Sequence, residues 1–310
     1  MQRLVAVVGP TAVGKTRLAV DLALKFHGEI VNADSRQVYR YMDIGTAKPG
    51  DSDRASVPHH LIDILDPRES FSLALYRQKA LEAIADIFSR GKTPLLVGGT
   101  GQYIWAILEG WTIPPVAPDL AFRTKLEQEA ATTGHLGLHE RLESVDPEAA
   151  QSIDPANVRR VIRALEVWHS TGIPFSCLRQ KKRPPFEFLI LGLTLPRAAL
   201  YMHIDDRVDW MIANGLVDEV RGLQTMGYDV DLPPMTGIGY MEISSYLVNE
   251  NDLESTVKKI KYRTHHLARR QYTWFRLNDA RISWLPADQD CLKEGAEKVQ
   301  TFLGDDNGLY

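Results

Sequence analysis

The sequence predicts an α/β fold in which a doubly wound parallel sheet is interrupted by an all-helical insertion. Three observations predict it: short apolar runs alternate with amphipathic helices over residues 4–109, a proline-rich break at 111–118 leads into helix alone, and a strand-like run returns at 188–194. A chain of 310 residues exceeds the usual single-domain size, which leaves room for one large core and one smaller domain.

Residues 4–8 (LVAVV) are continuously apolar and end at glycine, the pattern of a strand buried on both faces of a parallel sheet. From Lys15 onward, Leu18, Ala19, Leu22 and Phe26 recur at helical spacing, and Gly28 is placed to close that helix in a left-handed conformation. Residues 29–33 read as the second strand. A second amphipathic helix covers 72–89 with Gly91 as its stop, and 94–97 (PLLV) reads as a third buried strand. Three prolines in WTIPPVAP, 111–118, can continue neither a helix nor a central strand. Beyond this linker, 119–132, 136–142 and 157–171 read as helices. Residues 188–194 rejoin the sheet, and helical patterns run through 198–226 and 253–275. The predicted domains are a core of 1–115 with 188–310 and a helical insertion of 116–187.

Composition is that of an ordinary soluble protein, with 44% hydrophobic and 25% charged residues. Cys177 and Cys291 have neither CxxC spacing nor a metal-ligand partner, so both read as free thiols in a reducing compartment. The N-terminal apolar run is too short for a signal peptide or a membrane span, which points to the cytoplasm. A net charge of -4 argues against nucleic acid, yet the charge is segregated. Residues 159–183 hold seven Lys/Arg against Glu166 alone, and 258–276 hold seven more against no acid. Two local positive surfaces fit a polyanionic partner.

Gly9-Pro10-Thr11-Ala12-Val13-Gly14-Lys15-Thr16 satisfies GxxxxGK[ST] between a buried strand and a helix start, which makes the fold class P-loop NTPase-like. Backbone N–H groups of 12–16 and the positive helix end would form a nest for a diphosphate, Lys15 would add a point charge, and the Thr16 hydroxyl would ligate Mg2+. The loop reads a charge pattern and not what is attached to it. Strand 94–97 ends in Gly98-Gly99-Thr100-Gly101 without the usual metal-binding acid. Thr100 offers a neutral hydroxyl, and the glycines either admit a substrate close to the backbone or simply form a turn. Asp34 follows the second strand directly, which puts its carboxylate beside the phosphate loop as a candidate base, with a helix N-cap as the alternative. Ser35, Arg36 and Gln37 add groups suited to base edges or phosphate.

In the insertion, Arg159 and Arg163 lie one turn apart and can track a phosphodiester backbone, with Arg179, Lys181, Lys182 and Arg183 downstream. Residues 258–276 form a basic amphipathic helix whose inward stripe is Val257, Ile260, Thr264, Leu267, Gln271 and Trp274. His59-His60 and His265-His266 read as polar contacts, not as metal ligands.

Seven blocks in order resemble the tRNA dimethylallyltransferase family, also called tRNA isopentenyltransferases. They are GPTAVGKT (9–16), NADSRQVYRYMDIGTAKP (32–49), HHLIDI (59–64), GGTGQY (98–103), RRVIRALEV (159–167), GIGYMEI (237–243) and RRQYTWFR (269–276). The chain departs from the family at Gln102, where Leu is common, and in 264–267. The resemblance implies transfer of a dimethylallyl group from its diphosphate to N6 of adenosine 37, just 3′ of the anticodon, in tRNAs reading codons that begin with U. It further implies that 11–16 hold the donor and that Asp34, Ser35, Arg36 and Gln37 meet tRNA. Thr100 and Arg123 would lie at the reaction channel, and Arg159, Arg160, Val161, Ile162 and Arg163 would contact tRNA.

In that reading Lys15 and the loop amides stabilise the leaving diphosphate, Asp34 accepts the N6 proton, and Thr100 orients either Asp34 or the diphosphate. The adenine would be flipped into a channel between the core and the insertion, and Tyr39, Tyr103 or Tyr240 would stack on it. A monomer is expected. The alternatives are a P-loop small-molecule kinase, which would make ADP from ATP, and a non-catalytic RNA-binding protein.

Overall fold

The computed structural model describes residues 2–114, 116–178, 180–249 and 252–304; Pro115 of the linker and Arg179 of the basic loop lie outside the described residues. In chain order the elements are β1 (Arg3–Val8), α1 (Lys15–Lys25), β2 (Gly28–Asn32), α2 (Asp51–Ser56), β3 (His59–His60), α3 (Leu73–Ser89), β4 (Thr93–Gly98) and α4 (Gly101–Leu108). There follow α5 (Leu120–Val145), α6 (Pro147–Ser152), α7 (Val158–Thr171), α8 (Phe175–Leu178), β5 (Glu187–Thr194), α9 (Arg197–Ala213) and α10 (Leu216–Thr225). A 3-10 turn (Pro233–Thr236), α11 (Tyr240–Asn249), α12 (Leu253–Trp274), β6 (Ile282–Pro286) and α13 (Cys291–Leu303) complete the chain. Among the described residues no helix is long and apolar enough to cross a membrane.

The core unit, 1–108 with 185–310, carries one six-stranded parallel sheet in the order β3-β2-β4-β1-β5-β6. The α/β parallel architecture is the one expected. Val8 pairs with Gly98 and Asn32 with Val97, so β1, β2 and β4 end at one level and their following loops emerge together. That edge is where ligands bind in open parallel sheets. Val5, Val7, Leu95 and Leu191 of the strands pack with Leu18 and Leu22 of α1 in the main apolar cluster, each such burial contributing roughly 1.5–3 kcal/mol.

Several boundaries differ from the sequence reading. Helix α1 stops at Lys25, and His27, not Gly28, takes the left-handed turn at φ 49°. Gly28 instead opens β2, where a Cβ would meet Leu95 and come within 2.7 Å of Thr93 O. The pattern at 198–226 is two helices because Gly215 (φ 98°) breaks it; within α5 the non-helical Gly134 (φ 83°) kinks the chain and separates two helical pieces, as the two helices of the sequence reading have it. β3, β6, α11 and α13 were not predicted; β3 is only two residues long and carries no apolar run to detect.

The second unit, 109–184, is helical, against a predicted 116–187. Leu126, Leu138, Leu142, Ile153 and Leu165 form its core together with Val161 and Ile162. Glu166 is wholly buried there, bound in two-pronged fashion by Arg123 (2.7 Å twice), by Arg163 (2.5 Å) and by the Asp119 N–H (2.8 Å). Burial pushes its carboxyl up, but Arg123, Arg163 and the Asp119 amide outweigh that and lower it from 4.5 to about 2.

Glu166→Gln is therefore expected to destabilise this unit by about 2 kcal/mol, less than for a fully buried pair because both arginines stay partly in water. A depressed carboxyl contributes fully above its unfolded value of 4.5 and loses that contribution as pH falls toward 2. Hydrogen exchange of α5 and α7 amides in urea should show a large parent-to-variant difference at pH 7 that shrinks at pH 3.

Candidate functional site

The loop from Gly9 to Gly14 links β1 to α1, with Gly14 in the left-handed region at φ 93°. A residue with a side chain is strained there. Helix α1 has no side-chain cap, so the amides of its first turn keep no side-chain acceptor. Lys15 Nζ donates to Pro10 O at 2.6 Å, folding the cation back over the loop. Val13 contributes backbone only, because its side chain sits in the apolar core. Arg207 of α9 donates to the Thr11 hydroxyl at 3.3 Å. Burial first, then repulsion from Arg207, lowers the Lys15 ammonium to about 7, with Asp34 acting in the opposite direction. Burial likewise lowers the Arg207 guanidinium, and Asp34 again opposes it.

Asp34 leaves the end of β2 within a small hydrogen-bonded turn. Its N–H donates to Asn32 Oδ1 at 3.1 Å, and its own Oδ1 accepts the Arg36 N–H at 2.8 Å. No helix starts here, so the capping alternative gives way to a local side-chain turn that holds one carboxylate oxygen. Oδ2 accepts no hydrogen bond among the described residues. Thr100 Oγ1 accepts the Ser35 N–H at 3.1 Å, and the Thr100 N–H donates to Ala33 O at 3.2 Å. Of the two roles expected for Thr100, the geometry favours orienting the Asp34 segment.

Two cavities meet at this point. One, of about 180 Å³, is lined by Lys15, Thr16, Asn32, Asp34 and Arg207 among others. The other, of about 540 Å³, is lined by Asp34, Arg36, Thr100, Tyr240, Arg270 and Trp274 among others. Thr11, Asp34, Gly99, Arg207 and Gln271 border both. The second volume lies in the usual range for ligand pockets, roughly 300–1,000 Å³.

Gly99 and Gly101 after β4 border the larger cavity, and their missing side chains also admit a neighbouring helix. A Cβ on Gly99 would strike Gln271, and one on Gly101 would strike the Trp274 ring, so what comes close is helix α12. Gln37 borders the smaller cavity, and its Nε2 is taken up by Thr46 O and Ala47 O at 3.1 Å each. Arg36 is tied to Pro233 O at 2.5 Å. Glu219 accepts from the amides of Asp43, Ile44 and Gly45 at 2.9, 2.7 and 3.1 Å and from the Tyr240 hydroxyl at 2.6 Å, which fixes the wall of the larger cavity.

Val161 and Ile162 are corrected from RNA contacts to core residues, at 0% and 3% exposure, because the helix turns them inward. Arg123 and Arg163 are engaged by Glu166, while Arg159 is exposed. Of the three tyrosines, Tyr39 and Tyr103 are buried and border neither cavity; Tyr103 stacks on Tyr76 at 3.6 Å. Tyr240 borders the larger cavity, and so does Trp274, which is 39% exposed. His60 binds Glu29 at 2.7 Å and His59 binds Val57 O at 2.8 Å, the polar contacts expected. Sequence reasoning missed Arg207 and the clamp made by Gln271; neither lies in a motif with the loop, and only the fold brings α9 and α12 to it.

A family model described as IPP transferase matches residues 37–278. A tRNA dimethylallyltransferase of Roseiflexus castenholzii is 56% identical over 96% of this chain and 98% of its own length. The crystal structure of a full-length tRNA isopentenylpyrophosphate transferase from Bacillus halodurans superposes with a TM-score of 0.73 at 41% identity, covering 98% of this chain and 97% of that one. A eukaryotic dimethylallyltransferase acting on tRNA superposes with a TM-score of 0.82 at 27% identity, covering 99% of this chain and 79% of that one.

Because Lys15 titrates near 7, an anion in the cradle is expected to restore its charge and take up a proton at pH 8. Binding of inorganic pyrophosphate should weaken as pH rises above 7. Titration calorimetry at pH 8 in buffers of differing ionisation enthalpy should show more proton uptake by the parent than by Lys15→Arg, whose cation does not titrate.

Proposed function

This chain belongs to the IPP transferase family, and on that premise we propose that it transfers a dimethylallyl group from dimethylallyl diphosphate to N6 of adenosine 37 of tRNA. The tRNAs would be those reading codons that begin with U. The observation that carries the reading is Asp34 at the junction of two cavities, one bordered by Lys15 and Thr16 and the other by Thr100 and Trp274.

The donor's diphosphate would lie against the amides of 12–16 with Lys15 and Arg207 beside it. An unstacked adenine would enter the larger cavity, where Trp274 or Tyr240 offers a ring face. The allylic C–O bond breaks and its electron pair leaves with the diphosphate. The new C–N bond forms to N6, which gives up one proton. An adenine amino group is a weak nucleophile, so charge grows early on the leaving oxygens, where Lys15 and the loop amides are aimed. Asp34 would accept the proton through Oδ2, while its Oδ1 keeps the Arg36 amide.

Magnesium is part of the proposal. The Thr16 hydroxyl borders the smaller cavity together with Asp34, a hard-oxygen set, and among the described residues no three His, Cys, Asp or Glu gather into a cage. Such a set fits an ion held by one protein oxygen, substrate oxygens and water, and when bound it would offset diphosphate charge. A monomer acting in the cytoplasm completes the reading.

Asp34→Asn is expected to lower alkyl transfer by roughly 10²- to 10⁴-fold while tRNA binding stays within twofold. Mass analysis of anticodon-loop nucleosides after incubation with tRNA and donor measures the first, and filter binding the second. Retained transfer by this variant would remove Asp34 from the mechanism. Arg159→Ala should weaken tRNA binding and reduce the slope of log affinity against log salt by about one, with pyrophosphate binding unchanged.

A further inference from the structure

Gln271 belongs to none of the groups the proposed chemistry uses directly, yet it bonds to both loops that carry them. Its Oε1 accepts from the Thr11 N–H at 2.8 Å, and its Nε2 donates to Gly99 O at 3.1 Å. The side chain is 8% exposed and borders both cavities. Thr11 lies directly before the predicted cradle of 12–16. Gly99 directly precedes Thr100, which bonds to Ala33 O and to the Ser35 N–H on either side of Asp34. One carboxamide therefore bridges the leaving-group side of the site to the proton-accepting side.

The chemistry of the side chain suits the task. A carboxamide accepts from an N–H and donates to a carbonyl at once, without adding charge beside an anion. Its seat is rigid: a Cβ on Gly99 would collide with Nε2, and the Trp105 indole N–H donates to Trp274 O at 3.1 Å, which anchors α12 one turn further on. Lysine, glutamate or leucine in this place would leave one loop unheld or introduce a charge. A buried, doubly bonded group that joins two loops transmits small displacements between them.

We propose that Gln271 is a positioning residue for alkyl transfer, holding Thr11 and Gly99 in one register and so setting the distance from the diphosphate cradle to Asp34. This inference rests on the functional reading above. Displacements of reacting groups on the order of 1 Å cost roughly 10²-fold in rate, so loss of the bridge acts on kcat. Binding of tRNA, which uses cationic side chains elsewhere, is not touched.

The test is steady-state transfer with tRNA and dimethylallyl diphosphate, together with a thermal melt, for the parent and Gln271→Met. Methionine keeps the volume and removes both hydrogen bonds. The expected result is a kcat lowered at least tenfold, a KM for tRNA within twofold and a cooperative melt. A folded Gln271→Met with kcat within twofold of the parent overturns the proposal, whatever its melting temperature. If that variant does not fold, Gln271→Asn, which keeps the amide but is too short to reach both loops, decides by the same comparison. A parent chain that transfers no alkyl group would overturn the functional reading and the inference with it.

Discussion

The site depends on how closely one helix can approach one turn. Gly99 and Gly101 have no side chains, and α12 uses that space to bring Gln271 and Trp274 onto the end of β4. From this contact the phosphate loop is held at Thr11, the Thr100 hydroxyl is set against the Ser35 amide, and Asp34 is fixed where two cavities meet. The parallel register of β1, β2 and β4 brings the three loops to one level, and the helix then locks them side by side.

Electrostatics follow from that enclosure. Lys15, Arg207 and Asp34 share a partly dry space, so burial lowers both cations and the carboxylate partly restores them. An arriving diphosphate would be the missing counter-charge. Groups preorganised in this way need no reorganisation as charge moves onto a leaving group. The helical unit uses the same physics: Glu166 is buried because two arginines and an amide meet it, and those arginines are thereby held in fixed places on the unit.

Much of this was legible in the sequence. Apolar runs identified β1, β4 and β5 because strands buried in the middle of a parallel sheet are rich in aliphatic residues, and β2 was placed despite its buried Glu29 and Asn32. The phosphate loop was legible because its chemistry is local: the glycines, the lysine and the hydroxyl act within one turn of chain. Asp34 was legible from its place directly after a strand. The edge pieces β3 and β6 carried too little pattern to stand out, and His27 took a turn that Gly28 had seemed made for.

What the sequence determined by itself was the α/β order, the anion loop and the acid of the next strand, since each is set by residues adjacent in the chain. What only the tertiary structure decided was which distant side chains reach them. Arg207 and Gln271 come from helices far along the chain, and Arg36 reaches the carbonyl of Pro233. Those outcomes depend on packing between elements distant in sequence, and the local pattern carries no record of it.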